Sequence, residues 1–257
     1  MPYKRYDVRN KYNHRGRRVN ERMGLKVLFL FLIPVLIVLV VLLGVYLGYN
    51  AEMKQRPKLP APATVDEADT VSDEQLLHIV NEHYPLEADY EPELVSFGGI
   101  RVAKVAFESL DDLIKDAASQ GITITVKKGY VSYSEQEKLF DETFKKVKKD
   151  NDYSEIKAES ETMKICPRAG CSENQTGMLL SFATDEKGDF AKTRAGKWLE
   201  KYSVNYGFVL RYPEGEEGNT GLTYAPDVYR YVGEEHALNM RRFDMILESY
   251  SYHVTIR

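Results

Sequence analysis

The chain has 257 residues, of which 43% are hydrophobic and 29% are charged, and its formal net charge at pH 7 is −4. This length suits one globular domain with an attached segment and leaves little room for two full domains. Residues 58–257 hold 24 Lys and Arg against 36 Asp and Glu, so most of the chain is acidic. An acidic domain disfavours nucleic acid and other polyanions as its main partners.

The N-terminal region predicts a membrane anchor. Residues 25–48 read LKVLFLFLIPVLIVLVVLLGVYLG, with Lys26 as the only charge, and they match the ~20 residues that a bilayer-spanning helix needs. Residues 1–24 are rich in Lys and Arg, which predicts a cytoplasmic tail and an extracellular remainder. A cleaved signal peptide is the alternative, although the apolar run exceeds the usual ~7–15 residues. We therefore expect a single-pass protein of the cell membrane.

Residues 49–71 contain three prolines and few apolar side chains, which is typical of an extended extracellular linker. The remaining residues, 72–257, predict one folded domain. Its first helix signal is Ser72 with Gln75 three residues later, the pattern of a capping box. The domain is therefore expected to begin close to residue 72.

The later elements predict an α+β domain. Residues 102–118 carry an apolar stripe at helical spacing, and ITITV at 122–126 alternates as a buried strand does. A charged amphipathic helix is predicted at 138–153, and another helix contains Trp198, the only tryptophan. This order of helices and short strands indicates one small, mostly antiparallel sheet flanked by helices.

Residues 172–182 read SENQTGMLLSF. They resemble the SEHQTGLAVD segment of the VanY-type D-alanyl-D-alanine carboxypeptidases, zinc enzymes that trim bacterial peptidoglycan stem peptides. In that family the His and the Asp seven residues later both bind zinc. Here Asn174 and Ser181 occupy those positions. An amide and a hydroxyl are poor zinc donors, so the resemblance comes with a change in the expected chemistry.

A second motif, KKGYVSYSEQ, resembles the family's SGYRSYxxQ motif, in which a strand leads into a helix at the edge of the active site. Tyr130, Ser132 and Gln136 agree with that motif. The motif's Arg, which in the family faces the substrate and the developing oxyanion, is Val131 here. Because an aliphatic side chain has neither charge nor donor, this electrostatic stabilisation is expected to be absent.

The third motif, YGFVLRYPEGEEGNTGLTYAPDVYRYVG, resembles the family pattern YGFxLRYPxGxExxTGxxYEPWHxRYVG. The family's general-base Glu is Ala225 in this chain, and its last zinc-binding His is Val228. Asp227 lies between these positions and is the one carboxylate left in this turn as an alternative base. The resemblance extends from about Leu77 to the end of the chain.

The resemblance implies the family's fold with every chemical position substituted. We therefore expect no zinc, no other cofactor and no catalysis. The predicted function is that of a cell-wall-facing domain that binds a peptidoglycan stem peptide or an envelope protein without hydrolysing it. Two alternatives are an active D,D- or L,D-carboxypeptidase with an atypical site, and a structural subunit of an envelope complex.

The candidate ligand-binding residues are those retained from the motifs and the segment before them: Tyr130, Ser132, Gln136, Arg168, Ser172, Gln175, Thr176 and Tyr231. Each can alternatively serve only to hold its turn together. Arg168 is the best candidate for carboxylate recognition, because a guanidinium binds a carboxylate bidentately. The only cysteines, Cys166 and Cys171, are five residues apart and outside the membrane, which predicts a small disulfide loop presenting Arg168 and Ser172.

Overall fold

The computed structural model describes residues 72–255, together with the three helical positions 40, 43 and 44. Apart from those three positions, the predicted tail (1–24), anchor (25–48) and linker (49–71) lie outside the described residues. Within the described part of the chain, no helix is long and apolar enough to cross a membrane.

The domain consists of short helices and strands joined by tight turns. Its helices are α1 (Asp73–Leu77), α2 (Phe107–Ser119), α3 (Tyr133–Asn151), α4 (Glu155–Met163), α5 (Arg194–Tyr202), α6 (Glu217–Thr220), α7 (Glu234–Phe243) and α8 (Leu247–Thr255). Its strands are β1 (Leu94–Phe97), β2 (Ile100–Ala103), β3 (Thr125–Lys128), β4 (Leu179–Ala183), β5 (Phe208–Tyr212) and β6 (Ala225–Tyr231). Turns of 3₁₀ helix lie at Lys104–Ala106, Glu173–Thr176, Phe190–Lys192 and Ser203–Tyr206.

Side-chain caps fix two of the helix starts. Ser72 and Gln75 form the predicted capping box at α1. Ser132 forms a second capping box at α3, so this helix begins five residues before the predicted start at residue 138. The helix predicted at 102–118 begins only at Phe107, because Val102 and Ala103 pair with β1 as a strand and Lys104–Ala106 form a 3₁₀ turn.

The predicted single sheet is instead two sheets, and every pairing in them is antiparallel. The strands β1 and β2 form a hairpin that turns at Gly98 and Gly99, both with positive φ, which glycine adopts without a Cβ clash. The other four strands lie in the order β3-β4-β6-β5. The predicted α+β class with antiparallel strands and flanking helices is confirmed.

The four-stranded sheet has a core face and a site face. Phe182 on β4 and Tyr229 on β6 are buried in the main hydrophobic cluster, together with Trp198 of α5. Because side chains alternate along a strand, the neighbouring Ser181 and Val228 point to the other side of the sheet. That other side forms the floor of the candidate site.

Candidate functional site

A cavity of about 190 Å³ lies between the site face of the sheet and the loops above it. Four of the five substituted positions line it: Asn174, Ser181, Ala225 and Val228. The fifth, Val131, is buried beside it and donates its backbone N–H to the carbonyl O of Asn174 at 3.2 Å. The fold therefore brings together the positions that the three motifs identified separately.

Cross-strand pairing aligns three of the cavity residues. Ser181 lies opposite Val228 in the β4–β6 pair and opposite Lys128 in the β3–β4 pair. Directly opposed residues of antiparallel strands share a face, with Cβ atoms about 4.5–5.5 Å apart. Lys128, Ser181 and Val228 therefore form one row across the sheet, and all three line the cavity.

A β-bulge turns Lys128 towards this cavity. Val126 pairs with Phe182 and Lys128 pairs with Ser181, so Lys127 is one extra residue on β3. In a regular strand, Lys128 would share the core face with Val126, two residues before it. The sequence predictions missed Lys128, although it stands where the family motif SGYRSYxxQ has its first Ser.

The side chains at the former metal positions do not fit zinc. Asn174 donates from Nδ2 to Gln136 Oε1 at 3.3 Å, and the Ser181 hydroxyl donates to Asp227 Oδ2 at 2.6 Å. The third position is aliphatic, and Lys128 adds a positive charge to the same wall. Across the described residues, no three His, Cys, Asp or Glu side chains are grouped so that they could hold a metal ion. Zinc needs imidazole, thiolate or carboxylate donors, which these positions do not supply.

Several predicted binding residues hold the turns around the cavity. Ser132 caps α3, and buried Gln136 donates from Nε2 to the carbonyl O of Pro167 at 2.7 Å. Ser172 caps the 3₁₀ turn at Glu173–Thr176 and also lines the cavity. Of the predicted binding residues, Ser172 alone lines this cavity among the described side chains, and its binding role stays a prediction.

The other predicted binding residues in the motifs lie away from the cavity wall. Tyr130 is buried, with the Arg101 guanidinium 4.8 Å from its ring centroid. Tyr231 packs against the core ring of Phe208, with 5.2 Å between the ring centroids. Gln175 and Thr176 are buried within the 3₁₀ turn, and Gln175 Oε1 accepts from the backbone N–H of Gly170 at 2.6 Å.

Arg168 lines a second cavity, of about 360 Å³, next to the first. Its guanidinium forms an ion pair with Glu159 and lies 4.5 Å from the centroid of the Phe140 ring. The two cavities share the wall residues Lys164, Pro167, Tyr212 and Leu222. The predicted role of Arg168 in carboxylate recognition stays a prediction, and it concerns a different cavity from the substituted positions.

The predicted disulfide is not formed in the structure, where Cys166 and Cys171 are free thiols. Hydrogen bonds hold the loop between them instead. The Gln136 amide approaches Cys166 Sγ at 3.5 Å, and the backbone N–H of Cys171 donates to the carbonyl O of Arg168 at 3.0 Å. Burial raises the pKa of the Cys171 thiol, which favours its protonated, unreactive form.

A buried ion-pair network, which the sequence predictions also missed, lies next to the site. The Glu173 carboxylate accepts hydrogen bonds from Arg211 Nη2 at 2.9 Å and from Arg230 Nη1 at 3.3 Å. Arg211 also pairs with Glu248 of α8 at 2.6 Å, and Arg230 donates to the Thr176 hydroxyl at 3.0 Å. The network joins the turn that carries Asn174 to β5, β6 and α8.

The charge on Glu173 is set by these partners. Burial by itself would raise the pKa of the Glu173 carboxyl, but the positive charges and hydrogen bonds of Arg211 and Arg230 outweigh it and lower that pKa below its ordinary value. Glu173 therefore stays ionised and paired in the folded domain. A buried pair of this kind is costly to break, because each remaining charge would be left without a partner.

Comparison with known proteins gives consistent results. The family model VanY, described as D-alanyl-D-alanine carboxypeptidase, matches residues 99–234. A D-alanyl-D-alanine carboxypeptidase of Enterococcus faecalis is 32% identical over 195 residues, which cover 74% of this chain and 72% of that protein.

Two solved structures share the fold. VanYB in complex with D-alanine-D-alanine has a TM-score of 0.63 and 30% identity, and the match covers 68% of this chain and 96% of that one. A mutant of the D,D-pentapeptidase VanY from a VanB-type vancomycin-resistance cassette, in complex with Zn(II), has a TM-score of 0.63 and 29% identity over 68% of this chain and 98% of that one.

The matched region contains the four-stranded sheet, the bulge, the loops above the cavity and all five substituted positions. Fold, motifs and comparisons therefore agree on the family of the domain. The chain belongs to the VanY family of D-alanyl-D-alanine carboxypeptidases.

Proposed function

We propose that this protein binds a peptidoglycan stem peptide in the former active-site cavity without hydrolysing it. The observation that carries the proposal is that the former metal and base positions still share one cavity, but with an amide, a hydroxyl, a methyl and an isopropyl group on them. Zinc peptidases need both a bound metal and a proton acceptor for its water. The donor set in this cavity supplies neither.

The choice of ligand is supported by the family and by the cavity. The structural neighbour VanYB binds D-alanine-D-alanine, and the corresponding cavity in this chain remains open with about 190 Å³. The buried network of Glu173, Arg211 and Arg230 supports the turn above the cavity. An envelope protein is the alternative partner that this proposal keeps.

An active carboxypeptidase with an atypical site is the second candidate. It is favoured by the names of the relatives, one of which is called a D-alanyl-D-alanine carboxypeptidase. Asp227 would be its base, and in the structure this carboxylate accepts a hydrogen bond from Ser181. Asp227 does not line the 190 Å³ cavity, so the non-hydrolysing function is the one that the geometry supports better.

The proposal places the domain outside the cell, anchored by residues 25–48 with the N-terminus in the cytoplasm. The basic residues before the apolar segment support this orientation. Protease added to intact protoplasts should digest the domain and spare an epitope tag at the N-terminus. Digestion of the tag with the domain left intact would reverse the topology.

The proposed function is tested with the full chain purified in detergent. We expect no stoichiometric zinc by elemental analysis and no D-alanine released from diacetyl-L-Lys-D-Ala-D-Ala, because the cavity holds neither metal donors nor a base. The Enterococcus faecalis relative, assayed in parallel, serves as the positive control. One equivalent of zinc, together with metal-dependent release of D-alanine, would establish the active enzyme instead.

A further inference from the structure

Two lysines, Lys128 and Lys164, line the cavity with the substituted positions. Lys164 is paired with Glu161, so the Lys128 ammonium is the cation that suggests what the cavity binds. Resting on the proposed function, we infer that this cavity is a carboxylate-binding site centred on the Lys128 ammonium and that its ligand is a peptide with a free C-terminus. The Lys128 ammonium would then supply a positive charge in the cavity where other members of the family hold a metal ion.

The position of Lys128 carries the inference. In the row across the sheet, Lys128 lies directly beside Ser181, and Val228 lies on the other side of Ser181. The bulge at Lys127 is the feature that directs it there, since a regular strand would send this side chain towards the core. A long charged side chain on the inner wall of a cavity, and not on the outer surface, is the arrangement of a ligand anchor.

Within the described part of the chain, the Lys128 ammonium has no carboxylate partner. Among residues 72–255, no carboxylate forms a salt bridge with Lys128, and Asp227 is instead bonded to Ser181. Burial lowers the pKa of the Lys128 amine, Cys166 raises it, and the like charge of Lys127 lowers it further. A ligand carboxylate would offset the desolvation and supply the missing opposite charge.

The rest of the wall suits a C-terminal residue. The Ser172 hydroxyl and the Asn174 amide provide polar groups, while Leu179 and Val228 provide apolar surface for a small side chain. The wall shared with the larger cavity, which includes Pro167 and Tyr212, offers a route for the preceding residues of a peptide. The cavity wall therefore offers polar groups for a carboxylate and apolar surface for a small side chain.

The test is a binding titration of the full chain in detergent with diacetyl-L-Lys-D-Ala-D-Ala as the free acid and as its C-terminal amide. We expect the acid to bind about tenfold or more tightly than the amide, as is typical for a charge-assisted hydrogen bond. Lys128→Gln should remove this preference, while Lys127→Gln, at the exposed neighbouring position, should retain it.

A second measurement needs no variant. Reductive methylation of Lys128, followed by mass spectrometry, should be slowed by the acid and not by the amide, with Lys127 as the internal reference. Equal affinity of the parent for acid and amide, undiminished preference in Lys128→Gln, or no binding of either peptide would each overturn the inference. The outcomes separate the two proposals. Bound zinc with released D-alanine, or no binding of either peptide, contradicts the proposed function, whereas equal affinity for acid and amide or an undiminished preference in Lys128→Gln contradicts only the role of Lys128.

Discussion

Glu173 and Asn174 are adjacent in the chain, yet they belong to two different parts of the molecule. Glu173 is 2% exposed and pairs with the buried Arg211 and Arg230. Asn174 faces the cavity, where the resemblance to the family places a zinc-binding His. The buried side of the turn agrees with the family motifs, whereas the cavity side departs from them.

The difference shows that the scaffold and the chemistry of this site can change separately. Replacing Glu173 would leave two buried arginines without their shared carboxylate, so the fold itself requires it. Replacing a cavity residue leaves no buried charge unpaired and costs the fold little. The family fold therefore persists in a chain whose cavity residues differ from the family motifs.

The largest expected effect comes from returning the cavity side to the family pattern. The triple variant Asn174→His, Ser181→Asp and Val228→His should bind zinc, because residues 181 and 228 are directly opposed on neighbouring strands. Adding Lys128→Ser should strengthen that binding, since an ammonium in the same cavity repels a dication. Elemental analysis and competition with a chelator measure both steps. A folded quadruple variant that takes up no metal would show that the cavity no longer has the family geometry.

A change on the buried side should instead affect stability. Glu173→Ala should reduce the free energy of unfolding by roughly 3–5 kcal/mol, because it leaves the buried Arg230 without a carboxylate partner and Arg211 with Glu248 alone. Urea unfolding followed by circular dichroism measures the change. The matched control is Glu93→Ala, which removes an exposed ion pair with Lys104 and should change the stability little.

The pH dependence provides a check on the same variant. The pKa of Glu173 in the folded domain is lower than its ordinary 4.5, so its contribution to stability is fully present above about pH 4.5. That contribution is lost as the pH falls through the folded-state pKa. The stability difference between parent and Glu173→Ala should therefore shrink in acid. A difference that grows as the pH falls below 4.5 would contradict this assignment.

The smallest expected effect concerns Arg168. Because this guanidinium is half exposed and already paired with Glu159 in the larger cavity, Arg168→Ala should weaken binding of the peptide acid by less than about fivefold. The same titration as for Lys128→Gln measures it, and the thermal midpoint should hardly change. A loss as large as that of Lys128→Gln would move the carboxylate site to the larger cavity.

The sequence alone determined the family, the α+β class and the positions at which residues differ from the family motifs. These three conclusions follow from local signals. They are capping residues such as Ser72, the alternation of apolar and polar side chains along strands, and motifs that can be compared with the family position by position. The glycine of the SENQTG motif is one example, since Gly177 has a φ of +68° and a Cβ there would lie 2.9 Å from the backbone N of Ala103.

Only the tertiary structure decided how these residues meet. Register pairing put Ser181 beside Val228, and a one-residue bulge turned Lys128 from the core face to the cavity. Glu173 found its arginines on strands about 40 and 60 residues further along the chain. The direction of a strand side chain and the partners of a buried charge depend on pairing between distant segments, and no local sequence pattern encodes that pairing.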